Sequence, residues 1–124
     1  MVVTAKVTKN CDITGSAIAF PDIDGTSSTP VDAAGGLVVT CTAGTTFTLS
    51  GQGATGSRKM LNGAHELNYN VYSNPERTTL WVNGAGGTGT GSAQNIPIYG
   101  RVPGNQLLAV AGDYADTMVI TITY

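Results

Sequence analysis

The sequence predicts an all-β domain, either a sandwich or a barrel, and three observations support this fold class. Charged residues make up only 11% of the 124 residues, less than half of the roughly 25% that is usual in globular domains. Thr, Val, Ile and Tyr suit a pleated sheet, and Gly, Asn, Asp and Pro supply its turns. About seven to nine short strand-like segments alternate with turn signals, the pattern of an immunoglobulin-like (Ig-like) sandwich.

The first third of the chain predicts two strands and a loop. In "VVTAKVTKNC", residues 2–11, apolar and polar side chains alternate, which indicates a first strand with Val3, Ala5 and Val7 on one face. Residues 16–20 form a short apolar segment that Pro21 ends. The polar stretch over 21–36 predicts a long loop.

The middle of the chain predicts two hairpins. "LVVTCT" and "TTFTLS" are separated by Ala43-Gly44, which indicates a hairpin turn. "RKML" and "HELNYNVYS" flank Asn62-Gly63, a strong hairpin signal because both residues tolerate positive φ. The Gly-rich residues 51–57 predict a loop.

The last third predicts two strands around a flexible loop, and then a terminal strand. "TTLWVN", residues 78–83, indicates a strand, and residues 84–95 indicate a loop. "IPIYGRVP", residues 96–103, contains Pro97, so we expect an edge position or a bulge there. Residues 105–110 are ambiguous.

The terminal segment over residues 117–124 alternates with a period of two. One predicted face carries Met118, Ile120, Ile122 and Tyr124. No later segment follows to pair beside this strand, and an unpaired apolar strand edge is prone to aggregate. The sequence therefore raises the question of what covers this edge.

Composition excludes several classes of protein. The length predicts a single domain over 1–124. The net charge is −2 and the six cations are scattered, so the basic footprint of a nucleic-acid-binding protein is absent. No stretch approaches the ~20 apolar residues of a membrane helix, so we expect no membrane insertion. The start of the chain lacks the pattern of a signal peptide.

The two cysteines, Cys11 and Cys41, lie in strand-like segments. A disulfide is favoured because the low-charge surface, rich in Thr and Gly, resembles that of secreted proteins. Two free, buried thiols remain the alternative, as in a cytosolic protein.

Two motifs match known binding loops only formally. Gly84, Gly86 and Gly89 fit G-x-G-x-x-G, but no helix follows to hold a phosphate, so we interpret them as loop residues. Asp22 and Asp24 resemble the start of a calcium loop, but Ala33 stands where a bidentate Glu is needed.

No catalytic set is evident, so we expect no enzyme and no cofactor. His65 is the single histidine, which leaves neither a zinc set nor a recognisable nucleophile setting around it. Asp113 and Asp116 flank Tyr114 and are interpreted as turn residues before the last strand.

Aromatic side chains offer an alternative function from a different class. Tyr69, Tyr72, Trp81 and Tyr99 lie in predicted strands, and Tyr72, Trp81 and Tyr99 could form a platform that binds carbohydrate. At least one Tyr of the pair Tyr69 and Tyr72 is expected in the core, since their faces differ. A monomeric carbohydrate-binding sandwich is therefore kept as an alternative.

Ordered stretches along nearly the whole chain resemble one family. They are "VTKNCDI", "GGLVVTCTAGTTFTLSG", "RKML", "LNYNVYSN" followed by "TTLW", "IPIYGRVP" and "AGDYADTMVITITY". With these stretches the chain resembles the spore coat protein U domain family, which includes pilins of archaic chaperone–usher pili such as the Csu pilus.

The resemblance implies an incomplete Ig-like sandwich that lacks one strand and is completed by donor-strand complementation. A periplasmic chaperone fills the groove first, and the N-terminal extension of an identical or related subunit replaces it after passage through an outer-membrane usher. The implied product is a secreted surface fibre or spore-coat-like layer that supports adhesion and biofilm formation. A second, adhesive domain does not fit in 124 residues, which favours a shaft or coat subunit.

The resemblance also implies roles for individual residues. Cys11 and Cys41 would form the disulfide, and Val3, Ala5 and Val7 would lie on a first strand at the groove edge. The groove and terminal strand would present four side chains: Met118, Ile120, Ile122 and Tyr124.

One departure from the family pattern concerns the donor segment, which usually precedes the first strand. Only ten residues precede Cys11 here. Either the donor segment is short, or it was trimmed or moved, or residues 1–10 are the donor and the first strand is minimal.

Overall fold

The computed structural model describes residues 1–51, 58–81 and 85–124. In these ranges the chain forms eight β-strands, and none of the described residues belongs to a helix that could cross a membrane. The strands are β1 (Cys11–Ser16), β2 (Val31–Cys41), β3 (Thr46–Gly51), β4 (Arg58–Asn62), β5 (His65–Tyr72), β6 (Ala85–Thr88), β7 (Ala93–Val102) and β8 (Ile120–Thr123).

The strands form two antiparallel sheets of an Ig-like β-sandwich. One sheet has five strands in the order β1-β2-β7-β5-β4, and the other has three in the order β6-β3-β8. The longest pairing joins β2 to β7, from Val31 opposite Val102 to Thr40 opposite Ala93. Strands β1 and β8 are therefore both edge strands among the described residues.

A core of apolar side chains from the described strands lies between the sheets. The larger sheet contributes alternate residues of β2, β5 and β7, and the smaller sheet contributes Phe47 and Leu49 of β3. This alternation is visible in β3, where buried and exposed residues alternate along the whole strand. The core is completed by a tryptophan outside the strands, and its buried members are Cys11, Leu37, Val39, Cys41, Phe47, Leu49, Leu67, Tyr69, Val71, Trp81, Ile98 and Val102.

The disulfide joins the first residue of β1 to the last residue of β2. Cys11 and Cys41 are directly opposite each other in the strand pairing and are bonded through sulfur. Immediately outside this pair, the Asn10 N–H donates to Thr42 Oγ1 at 3.0 Å, and the Thr42 N–H donates to the Asn10 carbonyl at 2.9 Å. The sequence-based preference for a disulfide over free thiols is confirmed.

The predicted first strand over residues 2–11 is wrong. Residues 1–10 belong to no strand and are exposed, so Val3, Ala5 and Val7 do not lie on a strand face. The cause is the register of β1: because Cys11 faces the last residue of β2, residues before it extend past the end of that strand. We call residues 1–10 the N-terminal segment.

Two regions predicted as loops are strands instead. Residues 31–36 belong to β2 and pair with β7. Residues 85–88 form β6, which pairs with β3. The short strand predicted over 16–20 is limited to the end of β1 at Ser16. In the described part of the strand predicted over 78–83, residues 78–81, only a bridge between Leu80 and Tyr72 is present. The predicted loop residues 52–57 and residues 82–84 lie outside the described residues.

The two predicted hairpins have different outcomes. The hairpin at Asn62-Gly63 is confirmed, since β4 and β5 pair up to Asn62 opposite His65 and Gly63 has φ of 62°. At Ala43-Gly44 the chain does turn, and the Thr45 N–H donates to the Thr42 carbonyl. However, β2 and β3 belong to different sheets, so this turn crosses the sandwich rather than closing a hairpin.

Pro97 lies near the middle of β7, opposite Gly36 of β2. On its other side, β7 pairs with β5 only from Tyr99 to Arg101. Pro97 is outside that short pairing, so its missing N–H removes no bond to β5. The expected edge position is thus present locally, although β7 as a whole is an inner strand.

Replacing both cysteines by serine should lower the free energy of unfolding by about 3–4 kcal/mol on the chain-entropy argument for a loop of this length. The disulfide spans 30 residues and lies at the edge of the core. Urea unfolding of the oxidised protein and of the double variant measures the difference. An unchanged midpoint would show that the disulfide does not restrict the unfolded chain enough to affect stability.

Candidate functional site

The two sheets leave an open cleft along one side of the sandwich. It lies between β1, at the edge of the five-stranded sheet, and β8, at the edge of the three-stranded sheet. Its volume is about 470 Å³. Within the described residues, neither of these two strands has a strand partner on the side that faces the cleft.

The lining of this β1–β8 cleft is mainly apolar. Its floor is formed by core residues of the larger sheet, namely Leu37, Val71 and Ile98. Its walls come from β1 and the segment after it, from β4, and from the segment that leads into β8. The wall side chains are Ile13, Ile18, Phe20, Met60, Met118 and Ile120.

The terminal strand contributes part of what the sequence predicted. Met118 and Ile120 line the cleft, and Ile122 is half-buried against the core. Tyr124 follows β8 and is exposed, and its hydroxyl donates to Asn10 Oδ1 at 3.3 Å. Burial alternates from Met118 to Thr123 as expected for a period of two.

Gly51 allows the terminal strand to approach the core. A Cβ at this position would lie 2.6 Å from Trp81, 2.9 Å from Met118 and 3.0 Å from Ile120. All three neighbours are side chains of the core or the cleft, so a larger residue would push the cleft wall outward. Trp81 itself is only 2% exposed.

A polar cluster lies at one end of the cleft. Asp116 Oδ2 accepts hydrogen bonds from Arg58 Nη2 at 2.7 Å, from Arg58 Nε at 3.2 Å and from the Tyr69 hydroxyl. The adjacent Ala115 exchanges two backbone hydrogen bonds with Leu61 of β4. Together these contacts fix the segment that enters the terminal strand.

Burial and charge shift the titration of this cluster. Burial raises the pKa of Tyr69 above its ordinary value, the hydrogen bond to Asp116 raises it further, and Arg58 opposes both. For Arg58, burial lowers the pKa, but the hydrogen bonds to Tyr69 and Asp116 outweigh it and the net direction is upward. The raised pKa values keep the Arg58 guanidinium charged and the Tyr69 phenol neutral at neutral pH.

Replacing Asp116 by Asn should destabilise the fold by about 2–4 kcal/mol, since it leaves a largely buried guanidinium without its counter-charge. The side chains of Arg58 and Asp116 are 8% and 24% exposed. Urea unfolding measures the effect.

The neighbouring pair Lys59–Glu66 provides a matched control, since its side chains are 48% and 50% exposed. Glu66→Gln should change the free energy of unfolding by less than about 1 kcal/mol. Equal losses in Asp116→Asn and Glu66→Gln would show that burial of the Arg58 pair has no consequence.

The N-terminal segment does not line the cleft of its own chain. Val3 and Val7 are 83% and 84% exposed. Val7 and Lys9 instead lie near the turn over residues 42–46 and near Tyr124, at the end of the sandwich where β1 begins. The segment thus presents alternating apolar side chains to solvent.

The two formal motifs have structural roles. Gly86 lies in β6 and Gly89 packs on Cys41, while Gly84 lies outside the described residues. Asp24 Oδ1 accepts bonds from the backbone N–H and the hydroxyl of Thr26, which lowers the pKa of Asp24. No group of three metal-ligating side chains is present among residues 1–51, 58–81 and 85–124.

The remaining residues considered as catalytic candidates from the sequence do not lie together. His65 is exposed at the start of β5, opposite Asn62. Asp113 is exposed and borders a second cleft beside Tyr114. The interpretation of Asp116 as only a turn residue is incomplete, because its carboxylate binds Arg58 and Tyr69.

The aromatic residues do not form the platform considered from the sequence. Trp81 and Tyr69 are buried in the core. Tyr72 and Tyr99 are opposite each other on β5 and β7, and the Arg77 guanidinium lies 5.5 Å from the centre of the Tyr99 ring. The largest of the three proposed platform residues, Trp81, is therefore not available to a surface ligand.

Most of the cleft wall was not predicted from the sequence. Ile13 and Gly15 of β1 line it, as do Ile18, Phe20 and Met60. The signal for β1 was present in "CDITGS", where Cys11, Ile13 and Gly15 share a face. The roles of Arg58 and Met60 depend on where β4 lies, at the edge of the five-stranded sheet beside β5, and have no local sequence signal.

The fold and the cleft define a class of proteins, the Ig-like β-sandwiches in which a seam between two edge strands is open. The chain belongs to the spore coat protein U domain family, whose sequence model matches residues 1–121. The family resemblance found in the sequence is thereby confirmed. A search of curated proteins found no match.

A solved structure supports the fold assignment. A chain in the crystal structure of the CsuC–CsuE chaperone–tip adhesion subunit pre-assembly complex, from archaic chaperone–usher Csu pili of Acinetobacter baumannii, is similar with a TM-score of 0.69 and 17% sequence identity. The match covers 95% of the present chain and 40% of that chain. At this identity the similarity concerns the fold.

Proposed function

We propose that the protein is a structural subunit of a secreted surface fibre, an archaic chaperone–usher pilus or a spore-coat-like layer, and that it polymerises by donor-strand exchange. The observation that carries this proposal is the β1–β8 cleft, which has an apolar floor and, among the described residues, a strand edge without a partner on each side. Exposed edges and apolar surface of this kind are costly unless another chain covers them.

The occupant we propose is the N-terminal segment of a second copy or of a related subunit. An added strand would form backbone hydrogen bonds to both β1 and β8, and its alternate side chains would enter the cleft. The segment has the required alternation, with Val3, Ala5 and Val7 spaced two residues apart and exposed in the isolated chain. Val3, Ala5 and Val7 would thus belong to the donor rather than to the groove edge.

Each chain then carries one donor segment and one cleft. A contact between two different surfaces of identical subunits forms a ring if the rotation between subunits closes. If it does not close, the contact generates an open filament. A chain with both parts is therefore suited to linear polymerisation.

We further propose that a periplasmic chaperone covers the cleft before assembly and that an outer-membrane usher exchanges it for the next subunit. The family membership and the Csu complex, which contains a chaperone, support this part of the proposal. The disulfide fits passage through an oxidising compartment. Adhesion and biofilm formation at the cell surface are the roles we propose for the fibre, with no catalytic activity.

A synthetic peptide of residues 1–10, added to the purified full-length chain, is expected to raise its melting temperature and to compete with polymerisation. A free peptide concentration of one hundred times the Kd stabilises the folded state by about 2.7 kcal/mol. Scanning calorimetry and size-exclusion chromatography measure these two effects. A stable monomer that ignores the peptide but responds to glycans would favour the carbohydrate-binding alternative.

A further inference from the structure

We propose the register in which the N-terminal segment of a donor chain lies antiparallel to β8, with Lys9 of the donor chain paired to Asp116 of the acceptor chain. In this register Val3 faces Ile122, Ala5 faces Ile120 and Val7 faces Met118. The inference rests on the proposed function and specifies which residues determine the pairing.

The direction follows from where the segment leaves the sandwich. The segment is joined to β1 at Cys11, at the end where Tyr124 contacts Asn10. A donor strand running parallel to β8 would leave the acceptor at this same end, where the acceptor's own segment also begins. An antiparallel donor strand leaves at the opposite end, near Asp116, and lets the subunits follow one another without that collision.

The register follows from matching apolar positions. Ile122 and Ile120 are half-buried on the inner face of β8, and Met118 continues this face along the cleft. The proposed register places one apolar donor side chain opposite each of them. A slip of two residues in one direction would place Val7 opposite Asp116, and a slip in the other would place Lys9 opposite Met118. Both slips bring an apolar group against a charged one.

The charges complete the match. Asp116 lines the cleft on the same side as Met118 and Ile120. Its hydrogen bonds to Arg58 and Tyr69 all use Oδ2, so Oδ1 has no hydrogen-bond partner in the described part of the chain. Lys9 is exposed and forms no ion pair with any described residue. The Lys9 ammonium of the donor chain can therefore bind Asp116 Oδ1 of the acceptor chain.

The outer face of the same pairing is polar and supports the register. It places Thr8 opposite Thr117 and Thr4 opposite Thr121, and all four residues are exposed. Cross-strand threonine pairs are favourable on an exposed sheet surface. Lys6 would also lie on this outer face, away from Asp116.

Cysteine cross-linking tests direction and register together. In a full-length variant with Thr8→Cys and Thr117→Cys, oxidation of the assembled protein should give a ladder of covalent oligomers on a non-reducing gel. Facing residues of antiparallel strands are about 4.5–5.5 Å apart at Cα, which is within reach of a disulfide. Both positions are exposed, so the substitutions should not disturb the core.

Two further variants serve as controls. Thr8→Cys with Val119→Cys would cross-link only if the register slipped by two residues, and Thr8→Cys with Thr123→Cys would cross-link if the strand ran parallel. Efficient ladders in either of these, and none in the first, would overturn the proposed register. Such a result would leave polymerisation intact, whereas the absence of any polymer would contradict the proposed function itself.

Charge-reversed peptides test the ion pair without altering the folded protein. A peptide of residues 1–10 with Lys9→Glu should bind the full-length chain about three- to tenfold more weakly than the unaltered peptide. The matched control is Lys6→Glu, which has the same net charge but faces outward. Equal losses for the two peptides would overturn the Lys9–Asp116 pair.

Discussion

A variant that carries a second copy of residues 1–10 after Tyr124, joined through an Asn-Gly turn, is expected to be a monomer with a melting temperature raised by about 20 °C. In the proposed register Tyr124 would face the first residue of the copy, and a two-residue type I′ turn fits such a hairpin. The copy would then fill the cleft of its own chain. No free cleft would remain to accept another subunit.

The size of this effect follows from the groups that become buried. Full burial of a valine side chain is worth about 1.5–3 kcal/mol, and both Val3 and Val7 would leave solvent in the copy. New backbone hydrogen bonds to β1 and β8 add to this. A total on the order of 5 kcal/mol corresponds to about 20 °C for a domain of this size.

The control carries the same extension with Val3→Asp and Val7→Asp in the appended copy. This extension should neither raise the melting temperature nor prevent polymerisation. Calorimetry and size-exclusion chromatography on the two proteins give the answer. If the unaltered extension leaves the polymer and the melting temperature unchanged, the cleft does not accept this segment.

The second large effect is expected from Ile120→Asp combined with Ile122→Asp, which should abolish fibre formation. Both side chains are half-buried on the inner face of β8, and Ile120 lines the cleft. A carboxylate there would lie among apolar side chains and would be desolvated by an incoming strand. Electron microscopy and sedimentation measure assembly.

Val119→Asp combined with Thr121→Asp is the matched control, since these residues are exposed on the other face of the same segment. It adds the same charge and should still assemble. Circular dichroism checks that both variants are folded. Normal fibres from the inner-face variant would show that the cleft is not the assembly site.

The sequence predicted features that depend on neighbouring residues. The hairpin at Asn62-Gly63 needs only a local turn, and the alternation along the terminal strand needs only a local period. Composition also favoured the disulfide over free thiols, although its partners are 30 residues apart. The family resemblance added the open groove, which local patterns alone could not supply.

Features that depend on distant pairing were not predictable. Residues 31–36 contain Gly35-Gly36 and have the composition of a loop, yet their pairing with β7 makes them a strand. The glycine-rich β6 is a strand because it lies against β3. Strand propensity largely reflects such neighbours. The sequence does alternate at Val3, Ala5 and Val7. This pattern could not show that β2 ends at Cys41, opposite Cys11, and therefore cannot pair with these residues.

The position of the disulfide has a mechanical consequence for a fibre built in this way. Tension between subunits would pull on Asn10. The following residue, Cys11, is covalently bonded to Cys41. The load therefore passes to β2, which is flanked on both sides by β1 and β7. Because the first pair of β1 is covalent, pulling cannot peel this edge strand away residue by residue, and the subunit should yield to force only by shearing.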